Sequence, residues 1–268
     1  MKTHFEHPET RLNVYAFLDP AHMLKLIRNA FQFYESFIDK ENRMIKWQHL
    51  KNLHSLQEKE HLHLANKLGK EHMEFEKNKM KVKFASQFFS NSVADALTFC
   101  ETELKMDYFH NVGGTSYFLK TLNNLFDVLN SKSLKQKDYK KPLNQHNKIE
   151  TFLFLENVKD YLNTLLLQDG TRVVKSSRKT GFLGFLTCIE SAQQMYCYLV
   201  EETQSLMYIP MYKISQDHLE LLFCNMRSHG GANNNPTARQ FRSIYQKILV
   251  HIELKDSGKG NCVPLEQI

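Results

Sequence analysis

Cysteine is scarce in this sequence, and no two cysteines form a C-x-x-C pair. Only five are scattered along 268 residues, so neither a disulfide scaffold nor a zinc site is expected. We predict that they are reduced thiols of an intracellular protein, most of them filling apolar space. They are Cys100, Cys188, Cys197, Cys224 and Cys262.

Long apolar runs and several common signatures are also missing. No apolar stretch approaches the roughly 18–20 residues that a membrane span requires, and the N-terminus lacks the apolar core of a signal peptide. We therefore expect no membrane partner. The sequence contains no G-x-x-x-x-G-K-[ST] loop and no G-x-S-x-G elbow. The first absence excludes a P-loop nucleotide site, and the second leaves a Ser-His-Asp hydrolase without support.

Glycine is infrequent relative to the aromatic residues. Ten Gly stand against 19 Phe and 11 Tyr, which favours packed helices over a loop-rich β fold. The chain is 42% apolar and 24% charged, as in ordinary globular proteins. Its net charge of +6 permits a nucleic-acid partner without requiring one.

The first chemically suggestive residue is Asp19. Val14–Leu18 is a short apolar run that predicts a buried strand, and Asp19-Pro20 ends it. The polar leader before it shows no strand pattern. Asp19 can cap the helix that follows, with Pro20 at its first position. It can alternatively place a metal ligand at the edge of a sheet; on local grounds the cap is favoured.

A second group of acids lies on a helix that begins near Ser215. Leu219, Leu222, Phe223 and Met226 recur at i, i+3, i+4 and i+7, which predicts an apolar face. Asp217 and Glu220 fall on a second stripe at helical spacing. Two acids one turn apart can hold a metal ion or a polar ligand, or they can be solvated surface acids. The spacing alone favours the solvated surface acids.

Between these two regions the pattern is almost wholly helical, from Phe31 to about Leu206. Gly113-Gly114-Thr115 is expected to cap a helix, and Ser131–Lys148 is a Lys-rich loop. Arg172–Val174 is a candidate strand that could join a sheet with residues 12–19. No internal repeat occurs.

Two short motifs in the helical region carry little weight. Asn66-Lys67-Leu68-Gly69 is similar to the guanine-binding motif of GTPases, but Gly69 replaces the base-binding Asp. His61 and His63 are two residues apart, and on a helix that spacing directs the rings away from each other. A surface helix is therefore favoured over a metal site.

Five blocks of the sequence resemble P-element-type transposases, the group that includes the THAP-domain transposase-derived proteins of animals. They occur in the family's order between about residues 14 and 250. The blocks are Phe17–Asn29, Lys79–Ala85, Leu125–Ser131, Lys179–Phe185, and Ser215–Phe223 continued through Asn233–Thr237.

This resemblance implies an α+β, predominantly α-helical fold: a partial RNase H-like fold interrupted by a helical GTP-binding insertion domain. It implies domains at 1–40 (RNase H-like part), 41–170 (insertion) and 171–255 (C-terminal RNase H-like part), with a tail at 256–268. The implied activity is DNA transposition and integration in the nucleus, on transposon ends and target DNA, with GTP and Mg²⁺ as cofactors. A second copy of the chain or a full-length transposase is the expected protein partner.

The resemblance also implies individual roles. Asp19 and Glu220 match the second and third acids of the family's catalytic Asp-Asp-Glu set, and would serve as metal ligands. The blocks that contact the nucleotide supply the remaining implied residues. These are Lys67, Lys81, Val82, Phe126, Asp127, Asn130 and, from the catalytic half, Asp217.

The sequence departs from the family pattern near its start. Only eighteen residues precede Asp19, and Glu6 and Glu9 do not substitute for the family's first catalytic Asp. The zinc-coordinating DNA-binding domain is absent from this sequence. We therefore expect a fragment that does not cut DNA alone. The alternatives are a non-catalytic guanine-nucleotide-binding or protein-interaction module, and a purely structural helical domain.

Overall fold

The computed structural model describes residues 3–60, 64, 68–73, 82–229 and 235–251. Within them the chain forms ten α-helices, six short strands and several 3₁₀ turns. The strands are β1 (His4–Glu6), β2 (Asn13–Tyr15), β3 (Ser36–Ile38), β4 (Met44–Lys46), β5 (Leu143–Asn144) and β6 (Tyr208–Ile209). The helices are α1 (Pro20–Tyr34), α2 (Trp47–Glu60), α3 (Lys70–Met73), α4 (Val82–Phe88), α5 (Asn91–Thr102), α6 (Gly113–Leu129), α7 (Lys148–Thr164), α8 (Thr180–Tyr196), α9 (Asp217–His229) and α10 (Ala238–His251).

The polar leader was wrongly expected to lack a strand. It forms β1, which pairs antiparallel with β2 so that Phe5 faces Val14 across the hairpin. The observed β2 is shorter than the predicted strand over Val14–Leu18, and Val14 and Leu18 are both exposed. Hairpin hydrogen bonds, such as His7 N–H to the Leu12 carbonyl at 2.8 Å, depend on pairing with a distant segment. The apolar content of Val14–Leu18 alone does not predict that pairing.

A second hairpin, β3–β4, interrupts the region that was expected to be almost wholly helical. Its turn is organised by Asp39, whose carboxylate is buried. That carboxylate accepts hydrogen bonds from the backbone N–H groups of Glu41 and Arg43 and from Arg43 Nε at 2.7 Å. An Asp that satisfies its own turn in this way competes with helix formation.

The core is built where α1 crosses α8. Gly181 and Gly184 allow the two helices to approach closely. A Cβ at Gly181 would lie 2.9 Å from the Met23 carbonyl oxygen, and one at Gly184 would overlap the Met23 side chain. Next to this crossing an aromatic cluster is fully buried. It consists of Phe31, Phe37, Trp47, Phe88 and Phe118.

Helix α6 begins at Gly113, but Thr115 does not cap it as expected. Thr115 lies inside the helix and is fully buried. Its hydroxyl oxygen accepts a hydrogen bond from the Lys46 backbone N–H at 2.9 Å, and a second hydrogen bond of 2.8 Å joins it to His49 Nδ1. Thr115 thus fastens α6 to the β4–α2 junction. The apolar stripe of α6 is buried at Phe118, Leu122, Leu125 and Leu129, and Phe126 is half-buried.

The strands form three separate two-stranded sheets in the described residues. The Lys-rich segment contains β5, which pairs with β6 and closes the loop against the rest of the domain. Arg172 makes one isolated bridge to Leu166, and Val173–Lys175 is a 3₁₀ turn. The expectation that Arg172–Val174 joins a sheet with residues 12–19 was therefore wrong.

The chain divides into two compact units, residues 1–212 and 213–268. In the second unit α9 packs against α10, with Met226 and Ile244 buried. Among the helices that the structure describes, none is both long and apolar enough to cross a membrane.

Candidate functional site

Asp19 is both the cap of α1 and a buried carboxylate. Its Oδ2 accepts a hydrogen bond from the His22 backbone N–H at 3.1 Å and also contacts His22 Nδ1. The residue is 5% exposed, and its Oδ1 is buried with no hydrogen-bond donor in the described structure. A buried acceptor without a partner is energetically costly. The cap therefore uses one oxygen, and the other is left without a donor among the described residues.

The segment before Asp19 is held against α8 by two side chains. Ser191 Oγ donates to the Ala16 carbonyl at 2.6 Å, and the Cys188 thiol donates to the Leu18 carbonyl at 3.1 Å. Burial and then the Asp19 charge raise the pKa of the Cys188 thiol to about 12, despite that hydrogen bond. The thiol therefore stays neutral at physiological pH and contributes no charge beside the carboxylate.

Asp217 and Glu220 lie in the first turn of α9, in the second unit. Asp217 is half-buried and Glu220 is exposed. The Ser215 hydroxyl accepts from the Asp217 N–H at 3.4 Å, so the predicted polar start of this helix is present. The expected apolar face is only partly covered: Met226 is buried, but Leu219 is 54% exposed.

No group of three or more His, Cys, Asp or Glu that could hold a metal ion occurs within the described ranges. Asp19 belongs to the first compact unit and Glu220 to the second. Their shared role as metal ligands therefore stays a prediction.

One edge of α6 carries a stripe of polar and aromatic side chains that are only half-buried. Asn123, Phe126, Asp127 and Asn130 follow one another at three- and four-residue intervals along this edge. Asn123 Nδ2 donates a hydrogen bond to Asp127 Oδ2 at 3.0 Å, which orients the carboxylate. Asn130 ends the helix, and its N–H bonds the Phe126 carbonyl at 2.9 Å. This edge is one of the parts of α6 that solvent reaches.

A cavity of about 550 Å³ opens beside Asp127. Its volume falls in the range of small-molecule sites. Three segments of chain contribute its walls: the start of α5, the polar edge of α6 and the Lys-rich segment. The lining residues are Ser90, Asn91, Ser92, Asn123, Asn124, Asp127, Lys135, Gln136, Lys137, Asp138, Tyr139 and Lys140.

Different walls of this cavity carry different kinds of polar group. Asp127 and the neighbouring amides offer hydrogen-bond acceptors and donors on one side, and three exposed lysines offer positive charge on another. The wall formed by Ser90 and Asn91 includes the beginning of α5, where backbone N–H groups lack intrahelical partners. Such an arrangement suits a ligand with a polar ring at one end and phosphates at the other.

Only some of the residues predicted to contact the nucleotide line this cavity. Asp127 lines it, whereas Phe126 and Asn130 share the helix edge without belonging to the lining. Val82 begins α4 and is half-buried outside the lining. Lys67 and Lys81 lie outside the described residues, and Asp217 is in the second unit.

Sequence reasoning missed most of the cavity wall. The Ser131–Lys148 segment was treated only as a loop, although Lys135, Lys137 and Lys140 recur in it at short intervals. Asn123 stands four residues before Asp127, a spacing at which helix side chains meet. These two local patterns were the available clues. Neither pattern predicts that the two segments lie next to Ser90–Ser92 in the folded chain.

Comparisons with known proteins cover nearly the whole chain. Residues 21–142 match the protein family described as "TNP-like, GTP-binding insertion domain", and residues 212–246 match "TNP-like, RNase H C-terminal domain". The human protein named "DNA transposase THAP9" is 35% identical over 260 residues, which are 96% of this chain and 28% of that protein. The Drosophila melanogaster "Transposable element P transposase" is 29% identical over 273 residues, 98% of this chain and 34% of that protein.

A solved structure gives the same result in three dimensions. The "Drosophila P element transposase strand transfer complex" matches with a TM-score of 0.78 and 26% identity, over 96% of this chain and 55% of that one. The expected fold is thereby confirmed as α+β and predominantly helical, with an RNase H C-terminal part and a GTP-binding-type insertion. The chain spans about a third of the length of the curated relatives it matches. It belongs to the P-element-type transposase family.

Proposed function

We propose that this chain is part of a DNA transposase that binds a guanine nucleotide in its helical insertion. The observation that carries the proposal is the position of Asp127 in a cavity that three lysines also line. Guanine presents two N–H donors on one edge, and a carboxylate can accept both. Lys135, Lys137 and Lys140 can neutralise a phosphate chain. The names of the matched insertion family and of the relatives support the same conclusion.

We assign Asp19 and Glu220 to the catalytic part of the proposal. The buried Oδ1 of Asp19, which has no donor among the residues that the structure describes, fits a Mg²⁺ ion because Mg²⁺ takes oxygen ligands. Bound Mg²⁺ would supply the charge neutralisation that in-line attack on a phosphodiester requires. DNA is the proposed substrate, and the nucleus is the proposed place of action. Phe126, Asn130, Val82, Lys67, Lys81 and Asp217 are proposed as further nucleotide contacts.

Calorimetric titration with GTP and with ATP tests the nucleotide site. We expect GTP to bind more tightly than ATP, and Asp127→Asn to weaken GTP binding by about 2 kcal/mol, the cost of losing a charged hydrogen-bond acceptor. That loss corresponds to roughly a 30-fold change in Kd. ATP binding should change little, because adenine does not present the same pair of donors.

Asp95→Asn is the matched control for this titration. Asp95 is an exposed acid on α5 whose carboxylate pairs with Lys120 at 2.7 Å, and it does not line the cavity. Its variant should bind GTP like the unchanged chain. Equal binding of GTP and ATP, or no heat with GTP, would reject the guanine site.

A strand-transfer or nicking assay with Mg²⁺ or Mn²⁺ tests the catalytic part. We expect no product from this chain alone. Product that disappears in Glu220→Ala would overturn that expectation and establish a catalytic chain. GTP binding without product would leave the second candidate, a non-catalytic guanine-nucleotide-binding module.

A further inference from the structure

A second cavity, on the far half of α1, takes no part in the guanine site. Its volume is about 410 Å³. It combines amide, aromatic and cationic side chains from four segments of the first unit. The lining residues are Asn29, Gln32, Phe33, Glu35, Trp47, Lys51, Met73 and Arg178.

The notable side chain in this cavity is Phe33. It is 58% exposed, and the Arg178 guanidinium lies over its ring, 3.9 Å from the centroid. The Tyr34 ring meets the Phe33 ring edge-on at 5.0 Å. A single exposed Phe is ordinary on a protein surface. An exposed ring held between an arginine and a second aromatic ring is a prepared stacking surface.

The loop that carries Arg178 is fastened to α1 and is strongly basic. A hydrogen bond of 2.9 Å joins the Tyr34 hydroxyl to Ser177 Oγ, so the loop is held beside the aromatic pair. Four cations fall within eight residues of this loop, and all are exposed. They are Arg172, Lys175, Arg178 and Lys179.

The remaining polar groups of the cavity are held in place. Asn29 Oδ1 accepts hydrogen bonds from Nε and a terminal nitrogen of the buried Arg28 at 3.3 and 3.1 Å, which fixes the amide. Lys51 pairs with Glu35 at 3.2 Å, so the acid among the described lining residues is neutralised by a cation of the same lining. Among the residues that the structure describes here, Arg178 and the basic loop therefore add positive charge to the surface.

From this arrangement we propose that the Phe33–Arg178 surface binds single-stranded nucleic acid. An unpaired base stacks on the face of the Phe33 ring opposite Arg178, and the flanking phosphates contact Arg178, Lys179 and Lys175. Aromatic rings combined with backbone-tracking cations are the means by which proteins hold single strands. In a duplex the base faces are already stacked on each other, so the exposed ring favours a single strand. The inference rests on the proposed function only for its expectation of a DNA partner.

Fluorescence anisotropy of a labelled oligothymidylate, titrated with the full chain, tests this inference. We expect Phe33→Ala to weaken binding roughly tenfold, the effect of one lost base–aromatic stack. The same oligomer without bases should bind weakly and be insensitive to Phe33→Ala. Arg178→Ala should also lower the salt dependence of binding by about one unit of slope. A matching duplex should bind less tightly than the single strand.

Tyr108→Ala is the matched control. Tyr108 is 67% exposed and lies outside the cavity, so its removal should leave oligothymidylate binding unchanged. Phe33→Leu, which keeps an apolar side chain beneath Arg178, replaces Phe33→Ala if thermal unfolding shows that the alanine variant is not folded. Unchanged binding by the folded Phe33 variant, or an equal loss in Tyr108→Ala, would overturn the proposal.

The same preparations separate this inference from the guanine site. Asp127→Asn should retain oligothymidylate binding, and Phe33→Ala should retain GTP binding. Loss of single-strand binding with an intact GTP titration rejects only the surface proposed here. If Phe33→Ala weakens oligothymidylate binding as expected but the chain does not bind GTP, only the guanine site is rejected.

Discussion

Helices α6 and α9 carry the same kind of apolar stripe but have different surroundings. On α6, Leu122 and Leu125 are completely buried, because α1, α5, α7 and β4 pack around the helix. On α9, Leu219 and Phe223 are 54% and 46% exposed, and within its own unit the helix packs against α10. Helical periodicity determines which side chains share a face. It does not determine whether another element covers that face.

The largest expected difference between the two helices is the loss of stability when one leucine of each is replaced by alanine. Leu122→Ala should lower the free energy of unfolding by about 2–5 kcal/mol, because it removes a buried side chain and leaves a cavity. Leu219→Ala should change it by less than about 0.5 kcal/mol, as exposed positions usually do. Urea unfolding of both variants measures the contrast. Similar losses at the two positions would show that the α9 face is buried in solution.

The second prediction concerns the close packing that supports the first unit. Gly181→Ala should destabilise the protein by about 1–3 kcal/mol, because its new Cβ would press on the Met23 carbonyl across the α1–α8 crossing. Gly113→Ala is the control, since nothing lies within 4 Å of a Cβ there. Thermal and urea unfolding should show a loss for the first variant only. A loss of the same size in Gly113→Ala would contradict this explanation.

The third prediction depends on pH and on the buried contact between α6 and α2. Burial, with a smaller contribution from the Lys46 charge, lowers the pKa of His49 from 6.5 to about 4. The folded protein therefore disfavours the protonated ring. This contribution to stability is complete above pH 6.5 and is lost as the pH falls towards 4. Between pH 7 and pH 5 we expect a loss of roughly 2 kcal/mol.

Unfolding measurements at the two pH values, with His49→Gln beside the unchanged chain, check this effect. The variant lacks the titrating ring and should lose correspondingly less stability on acidification. Its Thr115 partner can still bond the Lys46 N–H, so the α6–β4 contact is preserved. An equal acid loss in both proteins would assign the titration to other groups.

Single residues of the candidate site could be predicted, but most of the cavity wall could not. Asp127 and Asn130 were identified through one block of resemblance, and the helix that carries them is present as expected. The cavity beside Asp127 was not predicted, because one of its walls, Ser90–Ser92, is distant in sequence from the other two. For Asp19 the sequence left cap and ligand as alternatives. The structure shows the cap on one oxygen and a second, buried oxygen with no described donor.

The sequence by itself determined the family and the starts of several helices. Capping residues, glycines and a period of 3.6 residues are local properties, so α1, α6 and α9 begin close to their expected positions. Only the tertiary structure decided the β1–β2 and β3–β4 hairpins, the burial of α6 against the exposure of α9, and the meeting of lysines with Asp127. The physical reason is that strand pairing and burial depend on contacts between distant segments, and no local pattern records which segments will meet.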